Sequence, residues 1–187
     1  MRKILTIILL MMSTIVSANK VGYSPSYVAY EITDPDGSTD SVSEFVPVSG
    51  VLVWKLTKKT RLWSQYSFLD AEIDSSETDI GQDIVSHEIV VNYQKQFALS
   101  RSFKPWFGLG LGFNSAEFTS RHTVDQDGFL DQVFEDRDEA FASIHANMSY
   151  EWEINNQVSF GLNADISVTN ADAFDGFKIG AVLLYDL

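Results

Sequence analysis

The stretch Phe177-Lys-Ile-Gly-Ala-Val-Leu-Leu-Tyr-Asp-Leu187 decides how this chain is read. At period 2, Phe177, Ile179, Ala181, Leu183, Tyr185 and Leu187 fall on one face, and Lys178, Gly180, Val182, Leu184 and Asp186 on the other. The first face is wholly apolar and the second is mixed. A strand of this kind turns its apolar side either to a protein core or to lipid.

Seven further segments alternate in the same way. Residues 20–31 set Val21, Tyr23, Pro25, Tyr27 and Ala29 against Gly22, Ser24, Ser26 and Val28, with Pro25 unable to donate to a ladder. Residues 45–56 set Val46, Val48, Leu52, Trp54 and Leu56 against Ser49, Val51, Val53 and Lys55. In 61–69, Leu62, Tyr66 and Phe68 oppose Arg61, Trp63, Gln65 and Ser67; in 84–95, Val85, Ile89, Val91 and Tyr93 oppose Ser86, Glu88, Asn92 and Gln94. Residues 105–113 alternate Phe107, Leu109, Leu111 and Phe113 with Trp106 and three glycines. In 140–152 the apolar positions from Ala142 to Trp152 oppose Ser143, His145, Asn147, Ser149 and Glu151. The same holds for Val158 to Val168 against Ser159, Gly161, Asn163, Asp165 and Ser167. No stretch after Ala18 has a convincing amphipathic-helix period.

Three features favour a closed barrel in a membrane over a soluble sandwich. Connections alternate between short and long, so the short ones share one end, as in an up-and-down barrel; a Greek-key sandwich scatters them. The long connections, placed at about 33–44, 70–83, 117–139 and 170–176, hold 20 of the 26 acids, whereas Lys58, Lys59, Arg61, Lys95, Arg101 and Lys104 cluster at the short ends. Finally, strands running toward the short turns end in aromatics on the apolar face, namely Trp54, Tyr93, Tyr150 with Trp152, and Tyr185. Amphipathic rings settle at the headgroup level, so these five form an expected interfacial girdle. Eight strands leave room only for side chains inside, which predicts a filled lumen.

The amino terminus fits this placement. Arg2 and Lys3 precede the apolar run Ile4–Met12 and a small-residue site ending at Ala18, the layout of a secretory signal peptide. The expected organisation is a signal peptide at 1–18 and one barrel domain at 19–187. Cleavage takes two cations and no acids, moving the net charge from −13 to −15, which speaks against a nucleic-acid partner. The chain has no cysteine, so an exported form has no disulfide to rely on.

The signal peptide, the Lys104-Pro-Trp-Phe-Gly-Leu-Gly-Leu-Gly112 repeat and the terminal strand resemble the small eight-stranded outer-membrane β-barrels, the family of OmpX and the transmembrane domain of OmpA. The resemblance implies an all-β, antiparallel up-and-down barrel with short periplasmic turns and long, here acidic, extracellular loops. It also implies a sorting signal in the last strand, read by the barrel-assembly machinery. Lys178-x-Gly180-x-x-Leu183-x-Tyr185 matches that signal, with two further residues ending at Leu187 rather than the usual Phe.

Inward-facing charges of both signs must be paired, because an unpaired buried charge is costly. The expected luminal network comprises Lys55, Arg61, Glu88, His145, Glu151, Asp165 and Lys178, with Asp186 a further inward acid. The column His145, Asn147, Ser149, Glu151 contains the residue types of a hydrolase, but it faces the lumen, away from lipid substrates. His87 is expected to face lipid and His122 to lie in the longest loop. Two loops, Asp34-Pro-Asp36-Gly-Ser-Thr-Asp40 and Asp125-Gln-Asp127-Gly-Phe-Leu-Asp131, bring carboxylates around a glycine turn. Neither has the EF-hand ligand spacing, so they read as solvated turns ahead of cation sites. The expected function is that of a non-enzymatic, monomeric outer-membrane barrel without cofactor, in contact with lipid and lipopolysaccharide and serving envelope integrity or surface interaction. A small porin-like channel and a lipid-A-modifying acyl hydrolase or acyltransferase are the alternatives.

Overall fold

The computed structural model describes residues 18–33, 39–77, 79–170 and 173–187; the expected leader up to residue 17, together with Asp34 and Asp36, lies outside them. The described residues form one antiparallel sheet of eleven strands: β1 Lys20–Tyr23, β2 Ser26–Thr33, β3 Thr39–Val46, β4 Val48–Lys55, β5 Thr60–Ile73, β6 Gly81–Gln96, β7 Trp106–Val124, β8 Leu130–Val133, β9 Arg137–Glu153, β10 Val158–Thr169 and β11 Ala173–Asp186. The sheet closes on itself as eight staves. The first stave is β1 with β2 and the second is β3 with β4; β5, β6, β7, β9, β10 and β11 complete the ring. The last strand pairs with the first stave in register, Leu184 opposite Gly22 and Lys178 opposite Val28, which closes the ring at that seam, while β3 ends the ladder order with β2 as its one paired neighbour among the described residues.

Prolines break the first two staves, for lack of an N–H to give to the ladder. At the first break the neighbours compensate: Ala181 N–H donates to the Pro25 carbonyl at 3.2 Å and Ser24 N–H to Ser49 at 3.0 Å. Tyr23 then reaches from one break to the other, its hydroxyl donating to the Pro47 carbonyl at 2.5 Å. The Pro47 interruption also corrects one expected face. Val46 is buried inside the barrel while Val48 is exposed, because the break changes the phase of the alternation between them.

Short turns join β4 to β5, β6 to β7 and β9 to β10 at one end. They are closed locally: Leu56 N–H donates to Thr60 O at 3.0 Å, and Asn155 Oδ1 accepts from Gln157 and Val158 N–H at 2.8 and 2.9 Å. At the other end the strands run further than periodicity alone predicts. β5 and β6 stay paired to Ile73 and Gln82, and β7 continues to Val124 before folding back as β8, so the expected 117–139 loop is largely a β-ribbon. A bulge opposite Gln82, with Ser120 at φ 57°, turns Arg121 inward, where its Nε donates to Gln82 Oε1 at 3.2 Å.

The reason the sequence hides these extensions is a reversal of polarity along each strand. In β5, the outward residues Leu62, Tyr66 and Phe68 give way to exposed Asp70 and Glu72, while inward Arg61, Gln65 and Ser67 give way to buried Leu69 and Ala71. β7 repeats the change, with Leu109, Leu111 and Phe113 outside its lower part and Phe118 fully buried in its upper part. The inward apolar residues of all these extensions gather into a plug of Val28, Tyr30, Ile32, Val42, Val46, Leu69, Ala71, Ile84, Ala116, Phe118 and Phe141. Burial of each large member is worth about 1.5–3 kcal/mol. A smaller apolar cluster of Val51, Val53, Trp63, Val182 and Leu184 lies toward the short-turn end.

Candidate functional site

Below the plug, beside the smaller apolar cluster around Trp63, the lumen is polar and its charges are paired. Lys178, on β11, forms an ion pair with Glu88 of β6 and donates to Ser67 Oγ at 3.2 Å. All three side chains are buried, so the pair offsets a desolvation cost that either charge alone would leave uncovered. Glu88 also approaches His145 Nε2, at 3.9 Å.

His145 sits at the centre of a second array. Its Nδ1 donates to Asp165 Oδ1 at 2.5 Å, and its Nε2 lies 2.8 Å from Ser143 Oγ, which also accepts from Asn114 Nδ2 at 3.2 Å. The strand geometry makes this contact: Ser143 and His145 are next-nearest neighbours on one face of β9, and Asp165 comes from adjacent β10. Gly112 makes it possible, since a Cβ there would strike both Ser143 Oγ and His145 Nε2. The connectivity is that of a hydrolase triad, but its serine is not Ser149, as the strand column had implied. The triad is enclosed. Ser143, His145 and Asp165 are all buried, and the small cavity beside Glu88, Asn114 and Lys178 measures about 10 Å³, at the limit for one water.

Toward the short turns a third layer forms around Arg61. The guanidinium pairs with Glu151, donates to Gln94 Oε1 at 2.6 Å and Ser149 Oγ at 2.9 Å, and lies over the Trp106 ring at 4.0 Å. Sequence reasoning left out Lys20, because it precedes the first confident alternation. Its ammonium is 3.4 Å from Glu151 and 3.5 Å from Asp186 and donates to Ser159 Oγ at 3.0 Å. Lys55 is placed differently from expectation. It pairs with Asp186 at 3.1 Å, but its side chain is 53% exposed, on the rim of the barrel mouth outside the lumen, because β4 ends there.

On the outer surface Trp54, Tyr93, Tyr150, Trp152 and Tyr185 all face outward near the short turns. Tyr150 and Trp152 make an edge contact at 4.6 Å, and Phe160 extends the belt at 6.1 Å from Trp152. His87 faces outward too, where Tyr66 Oη meets its Nδ1 at 2.8 Å and Phe68 covers it. His122 lies on the β7 ribbon, its Nδ1 2.6 Å from the Ser120 carbonyl.

Of the carboxylate turns, the second is described throughout. Asp125 Oδ1 accepts from the backbone N–H groups of Asp127 and Phe129 at 3.0 and 2.9 Å, and Gly128 takes φ 81°, so this acid closes the β7–β8 turn. Asp127 and Asp131 are exposed, and the side chain of Asp40, like Asp34 and Asp36, lies outside the described residues. Among the described residues no group of three His, Cys, Asp or Glu is arranged to hold a metal.

The closed antiparallel ring with a filled interior can now be set beside known structures. Neisserial surface protein A superposes with a TM-score of 0.58 at 12% identity, over 91% of this chain and 98% of that one. This chain has the fold of the small eight-stranded outer-membrane β-barrels. The attachment invasion locus protein Ail of Yersinia pestis (TM-score 0.47, 12% identity, covering 90% and 96%) and the N-terminal β-barrel domain of Pseudomonas aeruginosa OprF (0.43, 12%, covering 91% and 98%) are also matched. By sequence the chain matches no protein-family model and no curated protein. Within this small-barrel fold, the lumen holds three ion-paired or hydrogen-bonded layers beneath an apolar plug.

Proposed function

We propose that this chain is an integral outer-membrane protein of non-enzymatic function, exported on residues 1–18 and inserted as a monomer by the barrel-assembly machinery. In this reading its ribbon-like extensions stand outside the cell, in contact with lipopolysaccharide and with the surroundings, and its role is envelope integrity or surface interaction. The observation that carries it is the reversal of polarity at a common depth. An outward apolar belt bounded by the aromatic girdle, around an inward polar network, is the arrangement of a wall bathed in lipid. Above that belt the pattern is that of a wall bathed in water.

The test is fractionation of cells producing the full chain, followed by gel mobility with and without boiling. The expected result is recovery with outer membranes, loss of residues 1–18 and a heat-dependent shift. A protein soluble without detergent and with a single mobility overturns the reading.

The filled lumen favours a closed barrel over a channel. Planar-bilayer recording of the refolded protein is expected to give no discrete conductance steps.

A further inference from the structure

At the short-turn end the lumen opens into a cup of about 510 Å³. Six of the chain's 13 Lys and Arg line it: Lys20, Lys55, Lys58, Arg61, Arg101 and Lys104. Only Glu151 and Glu153 answer them within the lining, with Asp186 adjoining, in a chain whose net charge is −13. The cup is thus a local excess of positive charge on an acidic protein, and like charges gathered this way raise the local concentration of an anion.

The cations divide by depth. Lys20 and Arg61 engage Glu151 and form the floor, and Lys55, at the rim, pairs with Asp186. Lys58, Arg101 and Lys104 are exposed at the rim and pair with no carboxylate among the described residues. They come from two different turns, Lys58 from β4–β5 and the other two from β6–β7.

The second turn is held in place over the mouth. Tyr150 Oη donates to the Ser102 carbonyl at 2.8 Å, the Phe103 ring lies 4.9 Å from Tyr150, and Gln96 Nε2 donates to the Lys104 carbonyl at 3.2 Å. These contacts fix the backbone beside Arg101 and at Lys104, so the ordering cost that weakens surface-charge binding is partly met before a ligand arrives.

We propose that this cup binds a compact, multiply charged phosphate anion, held by Lys58, Arg101 and Lys104 above the paired floor of Lys20, Arg61 and Glu151. The chemistry favours phosphate because its oxygens match guanidinium and ammonium donors and carry several charges in a small volume. A cup of this size takes a diphosphate or a phosphorylated headgroup. The phosphate belongs either to an anionic lipid headgroup of the adjacent leaflet or to a soluble phosphate ester.

The test is calorimetric titration of the full chain, folded in detergent at low salt, with inorganic pyrophosphate. One saturable site is expected, weakened about tenfold or more in the double variant R101A/K104A and unchanged in K59A/K95A, which removes equal charge outside the cup. Absence of binding in the unsubstituted protein, or equal weakening in both variants, overturns the proposal. A second measurement needs no variant to fold: lysine acylation read by mass spectrometry. Pyrophosphate is expected to protect Lys58 and Lys104 and leave Lys59 and Lys95 reactive, and uniform reactivity overturns the site. Repeating the titration in nanodiscs separates the sources. Loss of pyrophosphate binding in phosphatidylglycerol discs but not in phosphatidylcholine discs identifies the lipid headgroup, and persistence in both identifies a soluble ester.

Discussion

The lower and upper halves of this barrel are built from the same strands yet obey opposite rules. In the lower half Leu109 and Leu111 face outward and Glu88, Lys178, Arg61 and Glu151 face in; in the upper half Glu72 and Glu117 face outward and Phe118 and Ile84 face in. The backbone ladder is continuous through the change. In the proposed membrane placement, what differs is the solvent against the wall, and the interior follows from it. Against lipid, the outer face takes the apolar residues and polar ones are left to pair inside. Against water, burial of apolar surface inside becomes the favourable term again.

This comparison breaks most sharply at the Lys178–Glu88 pair. Lys178→Met strands a buried carboxylate and is expected to destabilise the barrel by about 4 kcal/mol, whereas Lys178→Met with Glu88→Gln recovers most of the loss. Denaturant unfolding in lipid bilayers, followed by tryptophan fluorescence, measures both. If the double variant is no better than the single one, the interior charges are not acting as a pair.

The plug answers to cavity energetics instead. Phe118→Ala is expected to cost about 3 kcal/mol by the same assay, and no second polar substitution should rescue it. Next comes the outer wall, where position along the strand decides the cost. Leu109→Lys, in the outward apolar belt, is expected to cost about 2 kcal/mol in a bilayer, while Glu72→Lys, above it on an outward face, stays within about 0.5 kcal/mol. Equal costs at the two positions would remove the distinction between lipid-bathed and water-bathed walls. The smallest effect is expected at the enclosed triad. A fluorophosphonate probe should leave Ser143 unlabelled in the folded protein, as read by intact mass, since the probe has no space beside His145. Labelling there would make the triad chemically accessible and overturn its supporting role.

Much of this was legible in the residues. Period-2 alternation located every stave, and closure into a barrel followed from the alternating connections, the sorted charges and the aromatic girdle. The inward placement of Arg61, Glu88, His145, Asp165 and Lys178 followed from strand parity alone. The ends of the strands were not legible, because parity tells which residues share a face but not what that face touches. Asp70, Glu72 and Glu117 therefore read as loop, although they are the outward residues of paired strands. Val46 took the wrong face because Pro47 shifts the phase. The column from His145 to Glu151 leaves out the hydroxyl that meets His145, for a related reason. Ser143 and Ser149 share its face, and only the side-chain directions and the space left by Gly112 select between them.

The sequence by itself determined a closed wall of eight staves, which face of each carries polar groups, and that charges of both signs lie inside, since these depend on alternation along one strand. Only the tertiary structure decided which acid meets which base, that the upper interior is an apolar plug, and that cations from two separate turns converge on one cup. Those depend on register and strand tilt, which bring together residues as distant as Lys20 and Glu151, and no period within a single segment records them.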